Sequence, residues 1–134
     1  MNFLNRLQPL GLLVLRLALG TIMIAHGWQK IADHLNTIMG FLQHLGIPVW
    51  MAYLVTAAEF GGGILLVVGF LTRLAALAIL VDMLVAIVKV HLPNGLFNPK
   101  GFEFPMACAA IAFCLIITGA GPIAIDWLWG GRGR

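Results

Sequence analysis

Glu59 lies near the middle of the apolar run 49–70 and is followed directly by three glycines, at positions 61–63. A carboxylate at the centre of a bilayer costs roughly 2.5 kcal/mol or more, so such a group is expected to face a bundle interior or a wet cavity. Gly62 and Gly63 share nearly the same helical face and would let another helix approach closely. The pattern predicts a buried acid that either carries protons or fixes the bundle through an ion pair with an arginine.

A second set of ionisable residues lies where three apolar runs begin or end. His26 and Lys30 close the first run, Lys89 and His91 close the third, and Glu103 opens the fourth. Because consecutive membrane helices alternate in direction, we expect all five at one bilayer depth, at the outer mouth of the bundle. Convergence of several titratable groups from three helices is typical of a functional site.

A quinone is the ligand that suits such a mouth. Its carbonyls accept hydrogen bonds from His or Lys, its ring can lie by Trp28 or Trp50, and its tail stays in lipid. Histidine titrates near neutral pH and can pass the protons that accompany two-electron chemistry. We therefore assign catalytic roles to Glu59, His26 and His91. The predicted quinone-binding residues are His26, Lys30, Lys89, His91, Glu103 and Trp28.

Other cofactors have less support in the sequence. A divalent metal held by His26, His91 and Glu103 is the competing use of these groups, but the nearby Lys30 and Lys89 would repel a cation. The chain contains no haem-attachment motif, no dinucleotide fingerprint and no metal-ligand spacing such as HExxH. We therefore predict no metal, haem or dinucleotide.

The composition is that of a membrane protein. Hydrophobic residues make up 61% of the 134 residues and charged residues only 10%, against roughly 25% charged in soluble domains. The eight Lys and Arg residues are scattered, so they form no stripe for nucleic acid. We predict a single membrane domain, residues 1–134, that lies in lipid and binds no nucleic acid.

Hydrophobic periodicity predicts an all-α, antiparallel four-helix membrane bundle. Between the first two spans lies a polar but periodic segment, which predicts a short amphipathic helix at the interface or over the bundle mouth. The predicted spans are about 9–28, 49–70, 74–92 and 103–121, and the interfacial helix is about 31–45.

Two of the spans carry a charge on a face of small residues. Arg16 is expected to pair with Glu59 or Asp82, because an unpaired guanidinium in the bundle would leave five donors without acceptors. Counting at ~1.5 Å per residue places Arg16 and Asp82 in the cytoplasmic half of the bilayer. The inward face of the first span holds Arg16, Gly20, Met23, Gly27 and Lys30, and that of the third holds Ala75, Ala78, Asp82, Ala86 and Lys89.

Four spans place both termini on one side of the membrane, and the distribution of basic residues favours the cytoplasmic side. The basic residues on the side of the termini are Arg6, Arg73, Arg132 and Arg134, and those on the other side are Lys30, Lys89 and Lys100.

In its short sequence motifs the chain resembles the DoxX family over nearly its whole length. Two positions depart from the family pattern next to Asp126: Pro122 stands where a basic residue is frequent, and Ala124 where a serine is common. The matching elements are Arg16 with Gly20, His26-Gly27 with Lys30, Gly46-Ile47-Pro48, Glu59 with Gly62-Gly63 and Gly69, Thr72-Arg73, Ala86, Val90-His91, Gly101 with Glu103, and Gly119-Ala120-Gly121 with Asp126.

The resemblance implies a small protein of four membrane helices in the cytoplasmic (inner) membrane of a bacterium or archaeon. The family is named after a subunit of a thiosulfate:quinone oxidoreductase, so the resemblance also implies other membrane or redox subunits as partners, or a homo-oligomer. This analogy concerns the family and not a site.

Three hypotheses of function follow. The chain is a subunit that binds quinone or positions redox partners, a small proton-coupled transporter that uses Glu59, or an assembly scaffold with purely structural ion pairs. A lipid-like or coloured molecule that copurifies with the protein would favour the first.

Overall fold

The computed structural model describes residues 2–97 and 99–130, and over these ranges the chain is helical and contains no strand. Two π-helical turns interrupt the helices: Ala57–Gly61 joins α4 to α5, and Ile87–His91 follows α6 and leads into a 3₁₀ turn, Leu92–Asn94. The helices are α1 (Asn2–Asn5), α2 (Gln8–Ala32), α3 (Asn36–His44), α4 (Met51–Thr56), α5 (Gly62–Val68), α6 (Thr72–Ala86), α7 (Glu103–Thr118) and α8 (Ile125–Gly130).

Three helical stretches are long and apolar enough to cross a membrane: Gln8–Ala32, Met51–Val68 and Thr72–Asn94. A fourth, α7, is apolar but has only 16 residues, which is roughly 24 Å at 1.5 Å per residue. The predicted fold class, an all-α bundle of membrane helices, is confirmed. The predicted orientation used Arg132 and Arg134, which lie outside the described residues.

The amphipathic segment after the first span is separated from it by a sharp break. His34 and Leu35 have φ values of 51° and 64°, a left-handed conformation that no residue can hold inside a helix. Helix α3 therefore begins at Asn36, whereas the sequence predicted a helix from about residue 31. Its start is supported by Asp33, whose Oδ2 accepts a hydrogen bond of 2.7 Å from the Thr37 backbone N–H.

The close packing of α2 on α5 depends on glycine at both helices. A Cβ added at Gly63 would lie 2.8 Å from the Gly20 carbonyl oxygen, and one added at Gly27 would lie 2.6 Å from the Phe60 backbone nitrogen. Contacts this short leave no space for a side chain. The predicted inward face of α2 is confirmed, because Arg16, Gly20, Met23 and Gly27 are buried.

The remaining core lies between α2, α5, α6 and α7. Leu19, Leu66, Ile79 and Leu115 are completely buried there, together with small residues of α6 and α7. Leu12, near the start of α2, lies close to Gly121, which follows α7. We call this end of the bundle, with Arg16, Gly69, Leu71, Ala120 and Asp126, the proximal end. The opposite end, with Lys30, Glu59, Lys89, His91 and Glu103, is the distal end.

Candidate functional site

An ion pair between α2 and the first π-helical turn forms the centre of the candidate site. Lys30 Nζ lies 2.5 Å from Glu59 Oε2, and the side chains of Lys30 and Glu59 are 20% and 7% exposed. The turn can hold Glu59 there because Gly27 lets the backbone of Phe60 approach α2 directly. This is the one ion pair within residues 2–97 and 99–130. The cation for Glu59 is thus a lysine from the end of the first span.

Asp82 of α6 adds a second carboxyl group to this pair. Its side chain lines the same cavity as Lys30 and Glu59. Its Oδ2 is buried and has no hydrogen-bond donor in the part of the chain that the structure describes. Leaving a buried acceptor unsatisfied costs about 1–3 kcal/mol. Two carboxyls around one ammonium can therefore take up a proton or accept a bond from a ligand.

The three charged groups line a cavity of about 430 Å³. This volume lies within the range of roughly 300–1,000 Å³ that is usual for small-molecule sites. Glu59 and Asp82 lie within the spans, whereas Lys89 and His91 come from the second π-helical turn and Lys100 from the loop before α7. The polar lining of the cavity comprises Lys30, Glu59, Asp82, Lys89, His91 and Lys100.

The second π-helical turn, Ile87–His91, places two of these residues together. On an ideal α-helix, Lys89 and His91 would point to nearly opposite sides, because they are two residues apart. A π-helical turn widens the helix locally and changes the angle between successive side chains. Both side chains line the cavity, and the His91 ring nitrogen Nδ1 makes a hydrogen bond of 2.7 Å with the Lys100 carbonyl oxygen. One π-helical turn therefore carries Glu59, and the other carries Lys89 and His91.

Helix α3 covers the distal side of the cavity. Ile38, Phe41 and Leu42 contribute apolar side chains to its wall, and Leu42 is 6% exposed. Hydrogen bonding from Thr37 lowers the pKa of Asp33 below its ordinary value, so this carboxylate stays charged at the start of α3. Of the two predicted locations for the amphipathic segment, the structure shows the one over the bundle mouth.

Three of the predicted mouth residues lie outside this cavity. His26 is exposed and lines a neighbouring pocket of about 340 Å³ that shares Lys30 with the cavity, and its ring is 5.7 Å from that of Phe104. Trp28 is 57% exposed, and its ring lies 6.3 Å from Phe60. Glu103 is exposed at the start of α7. Of the five ionisable residues expected at the mouth, Lys30, Lys89 and His91 therefore line one cavity, whereas His26 and Glu103 do not.

The separation of His26 from His91 also affects the competing prediction of a metal site. His26 and His91 line different cavities. Among residues 2–97 and 99–130, no three His, Cys, Asp or Glu side chains come close enough to hold a metal ion. The hydrogen-bond donors around the main cavity are instead ammonium groups and an imidazole, which suit the carbonyl oxygens of an organic ligand.

The predicted pairing of Arg16 with Glu59 or Asp82 is wrong. Arg16 is 1% exposed, and its hydrogen-bond acceptors among residues 2–97 and 99–130 are backbone oxygens: its Nε donates to Leu66 (2.9 Å) and its Nη2 to Val67 (3.2 Å). Its Nη1 donates to Ala120 (2.8 Å) and Ile123 (2.7 Å). The carbonyls after a helix end have no partner within the helix, so they can satisfy a guanidinium without any acid. Arg16 is roughly 21 Å from Lys30 along α2, at the other end of the bundle.

Asp126 completes the proximal end in a way that the sequence did not predict. Its two carboxylate oxygens accept hydrogen bonds from the backbone N–H groups of Leu71 (2.8 Å) and Thr72 (2.9 Å), at the start of α6. Its own N–H donates to the Gly69 carbonyl oxygen over 2.8 Å. Its role is therefore that of a cap supplied by a distant part of the chain.

Asp82 is a site residue that the sequence analysis did not assign. We expected it on the inward face of the third span, and it lines the same cavity as Glu59 and Lys89. Helix α6 begins at Thr72, two residues before the predicted span, and the long Lys30 side chain reaches from the distal end towards both acids. The signal was present, since Asp82 and Lys89 are seven residues apart and share a helical face.

Comparison with known proteins agrees with this architecture. The family model described as DoxX matches residues 11–92, the part of the chain that holds Lys30, Glu59, Asp82, Lys89 and His91. No solved structure matches the chain.

Relatives in several bacteria match nearly the whole length. A Bacillus subtilis (strain 168) protein named "Putative oxidoreductase CatD" is 30% identical over 123 residues, which cover 92% of this chain and 90% of that protein. The Escherichia coli (strain K12) protein named "Inner membrane protein YqjF" is 32% identical over 127 residues, which cover 93% of this chain and 96% of that protein. A Mycobacterium tuberculosis protein named "Uncharacterized membrane protein Rv3486" is 33% identical over 132 residues, with 94% and 78% covered.

Proposed function

We propose that this chain, which belongs to the DoxX family of membrane proteins, is the membrane subunit of a quinone-linked redox system. Its distal cavity would hold the quinone head group. The observation that carries this proposal is the arrangement of the cavity, in which Lys89 and His91 line the same space as the buried Glu59 and the half-buried Asp82.

The residues of the cavity suit a quinone head group in both size and chemistry. Quinone carbonyls only accept hydrogen bonds. The Lys89 ammonium can donate one, and His91 can donate one from Nε2 when its ring carries both protons, because Nδ1–H is directed at the Lys100 carbonyl oxygen. A quinone supplies reversible two-electron chemistry that is accompanied by protons. A carboxyl group of the cavity or the His91 ring can hold such a proton.

Electron exchange would require a partner. The name of the Bacillus subtilis relative describes an oxidoreductase, which supports a redox setting, and we propose other membrane or redox subunits, or further copies of this chain, as partners. The Escherichia coli relative is named as an inner membrane protein. We propose the same membrane for this chain, with both termini in the cytoplasm.

The proposal predicts saturable binding of a quinone that depends on the cavity. The experiment uses the full chain in lipid nanodiscs and follows binding of a tailless para-benzoquinone by quenching of tryptophan fluorescence. His91→Ala should weaken binding about tenfold, since it removes one hydrogen bond to the ligand. His44→Ala is the matched control, because His44 is an exposed residue of α3 outside the cavity lining.

Two results would count against this function. One is the absence of saturable binding to the wild-type protein, which would favour a scaffold whose Lys30–Glu59 pair is structural. The other is equal binding by His91→Ala and His44→Ala, which would place the quinone elsewhere.

A proton-coupled transporter is the second candidate, and the observation that favours it is the unsatisfied Oδ2 of Asp82, in the cavity that Glu59 also lines. Acids inside membrane spans commonly belong to proton relays in transporters. A proton flux that depends on a solute gradient in proteoliposomes, with no quinone present, would favour this candidate over the first.

A further inference from the structure

An apolar groove runs along the outside of the bundle between two membrane spans. It has a volume of about 610 Å³ and lies between Met51–Val68 and Thr72–Asn94. Gly61, Gly62, Ala75 and Ala78 contribute small residues to its lining, and leucine and valine side chains complete it. The small residues leave room for a chain-like apolar ligand.

The groove adjoins the distal cavity. Val55, Asp82 and Val85 line both spaces, so an apolar surface and a polar one meet at these three side chains. Asp82 is the only acidic side chain of the groove lining, and its buried Oδ2 has no donor in the part of the chain described here. The combined shape fits an amphiphile that has a polar head and a long apolar tail.

We propose that this groove holds the apolar tail of the quinone whose head lies in the distal cavity, and that the quinone enters sideways from the bilayer between the second and third spans. The inference rests on the proposed function and adds the tail site and the path of entry. The hydroxyl of a reduced head group would donate a hydrogen bond to Asp82 Oδ2, and this oxygen would thereby gain the donor that it lacks.

A second copy of the chain suits the groove less well than a tail does. In a symmetric dimer each protomer contributes the same surface, so a groove-to-groove contact would bring both Asp82 side chains into one interface. Two carboxyls buried together without a cation between them are unfavourable. A quinone tail brings no charge and leaves Asp82 free for the head group.

The test compares two substitutions of glycine by leucine. A Cβ added at Gly61 meets no atom within 4 Å, and Gly61 has a helical φ of −65°, so Gly61→Leu would fill the groove without disturbing the backbone. Gly11 is equally open but lines a separate apolar groove with Leu7, Leu10 and Val14. Gly11→Leu is therefore the matched control, and Ala78→Leu is a second groove variant.

The probes are the tailless para-benzoquinone and the same head with a decyl tail that carries a diazirine at its end. In phosphatidylcholine nanodiscs, the diazirine of the tailed probe should label the wild-type protein at residues that line the groove, as identified by mass spectrometry. Gly61→Leu should lower this labelling and the affinity for the tailed probe about tenfold, because overpacking excludes the tail. The affinity of Gly61→Leu for the tailless probe should stay within about twofold of the wild-type affinity, because this probe makes no contact in the groove.

The outcomes separate the two proposals. If the tailless probe binds through His91 but Gly61→Leu and Ala78→Leu keep full labelling, or Gly11→Leu loses as much, the tail site is overturned while the head-group site stands. If neither probe binds the wild-type chain, the proposed function fails and the tail site with it. The third outcome is that the wild-type chain is a dimer, shows no labelling by the tail, and becomes monomeric in Gly61→Leu. In that case the groove is an interface with a second copy and the tail site is overturned.

Discussion

The two ends of the bundle both bury charged side chains, but they treat them differently. At the proximal end, Arg16 has four backbone carbonyl acceptors and Asp126 has two backbone N–H donors. At the distal end, Lys30, Glu59 and Asp82 border a cavity, and one carboxyl oxygen lacks a donor among the residues described. A charged side chain that is bonded to several backbone partners indicates a structural role, whereas an unsatisfied carboxyl oxygen next to a cavity indicates a site for a proton or a ligand.

The largest expected effect comes from Arg16→Leu. Four carbonyls would lose a charged donor in a buried setting, so we expect a loss of roughly 3 kcal/mol or more in the free energy of unfolding. Thermal unfolding in detergent measures this loss. Arg73→Leu is the control, since Arg73 is exposed at the same end, and it should change stability by about 0.5 kcal/mol or less.

A double variant checks the same conclusion. Arg16→Leu combined with Glu59→Gln should show the sum of the two single losses, because the residues lie at different ends. Recovery of stability in the double variant would mean that Arg16 and Glu59 do interact, and the separation of the two ends would fail.

The next effect concerns the balance of charge at the distal end. Lys30→Met would leave Glu59 and Asp82 without a cation and should cost about 2 kcal/mol, less than a fully buried pair because Lys30 is 20% exposed. Glu59→Gln leaves Lys30 next to Asp82, so it should cost about 1 kcal/mol or less. Unfolding of both variants in detergent gives the comparison, and equal losses would show that Asp82 does not share the cation.

A comparably small effect is expected for Asp126→Ala, which removes a helix cap and should cost about 1 kcal/mol. Asp126→Asn keeps an acceptor and should recover most of that loss. Quinone binding in nanodiscs should be unchanged in both variants, because Asp126 is at the proximal end. Loss of binding without loss of stability would assign the proximal end a part in the site and remove the contrast between the ends.

The sequence by itself was sufficient for the class of fold, the inward face of α2 and the burial of Glu59. Each of these depends on local pattern: apolar length, a helical repeat of small residues, and a charge where lipid makes charge costly. The family resemblance was also visible in short motifs distributed along the chain.

Only the tertiary structure decided which charges meet. Arg16 found carbonyls instead of an acid, because helix ends from distant parts of the chain supply acceptors that no pattern along one helix reveals. The π-helical turn before Leu92 changed the direction of His91, and α7 placed Glu103 away from the cavity. Periodicity assumes a regular helix and is silent on contacts between helices, so it can place a residue on a face but cannot name its partner.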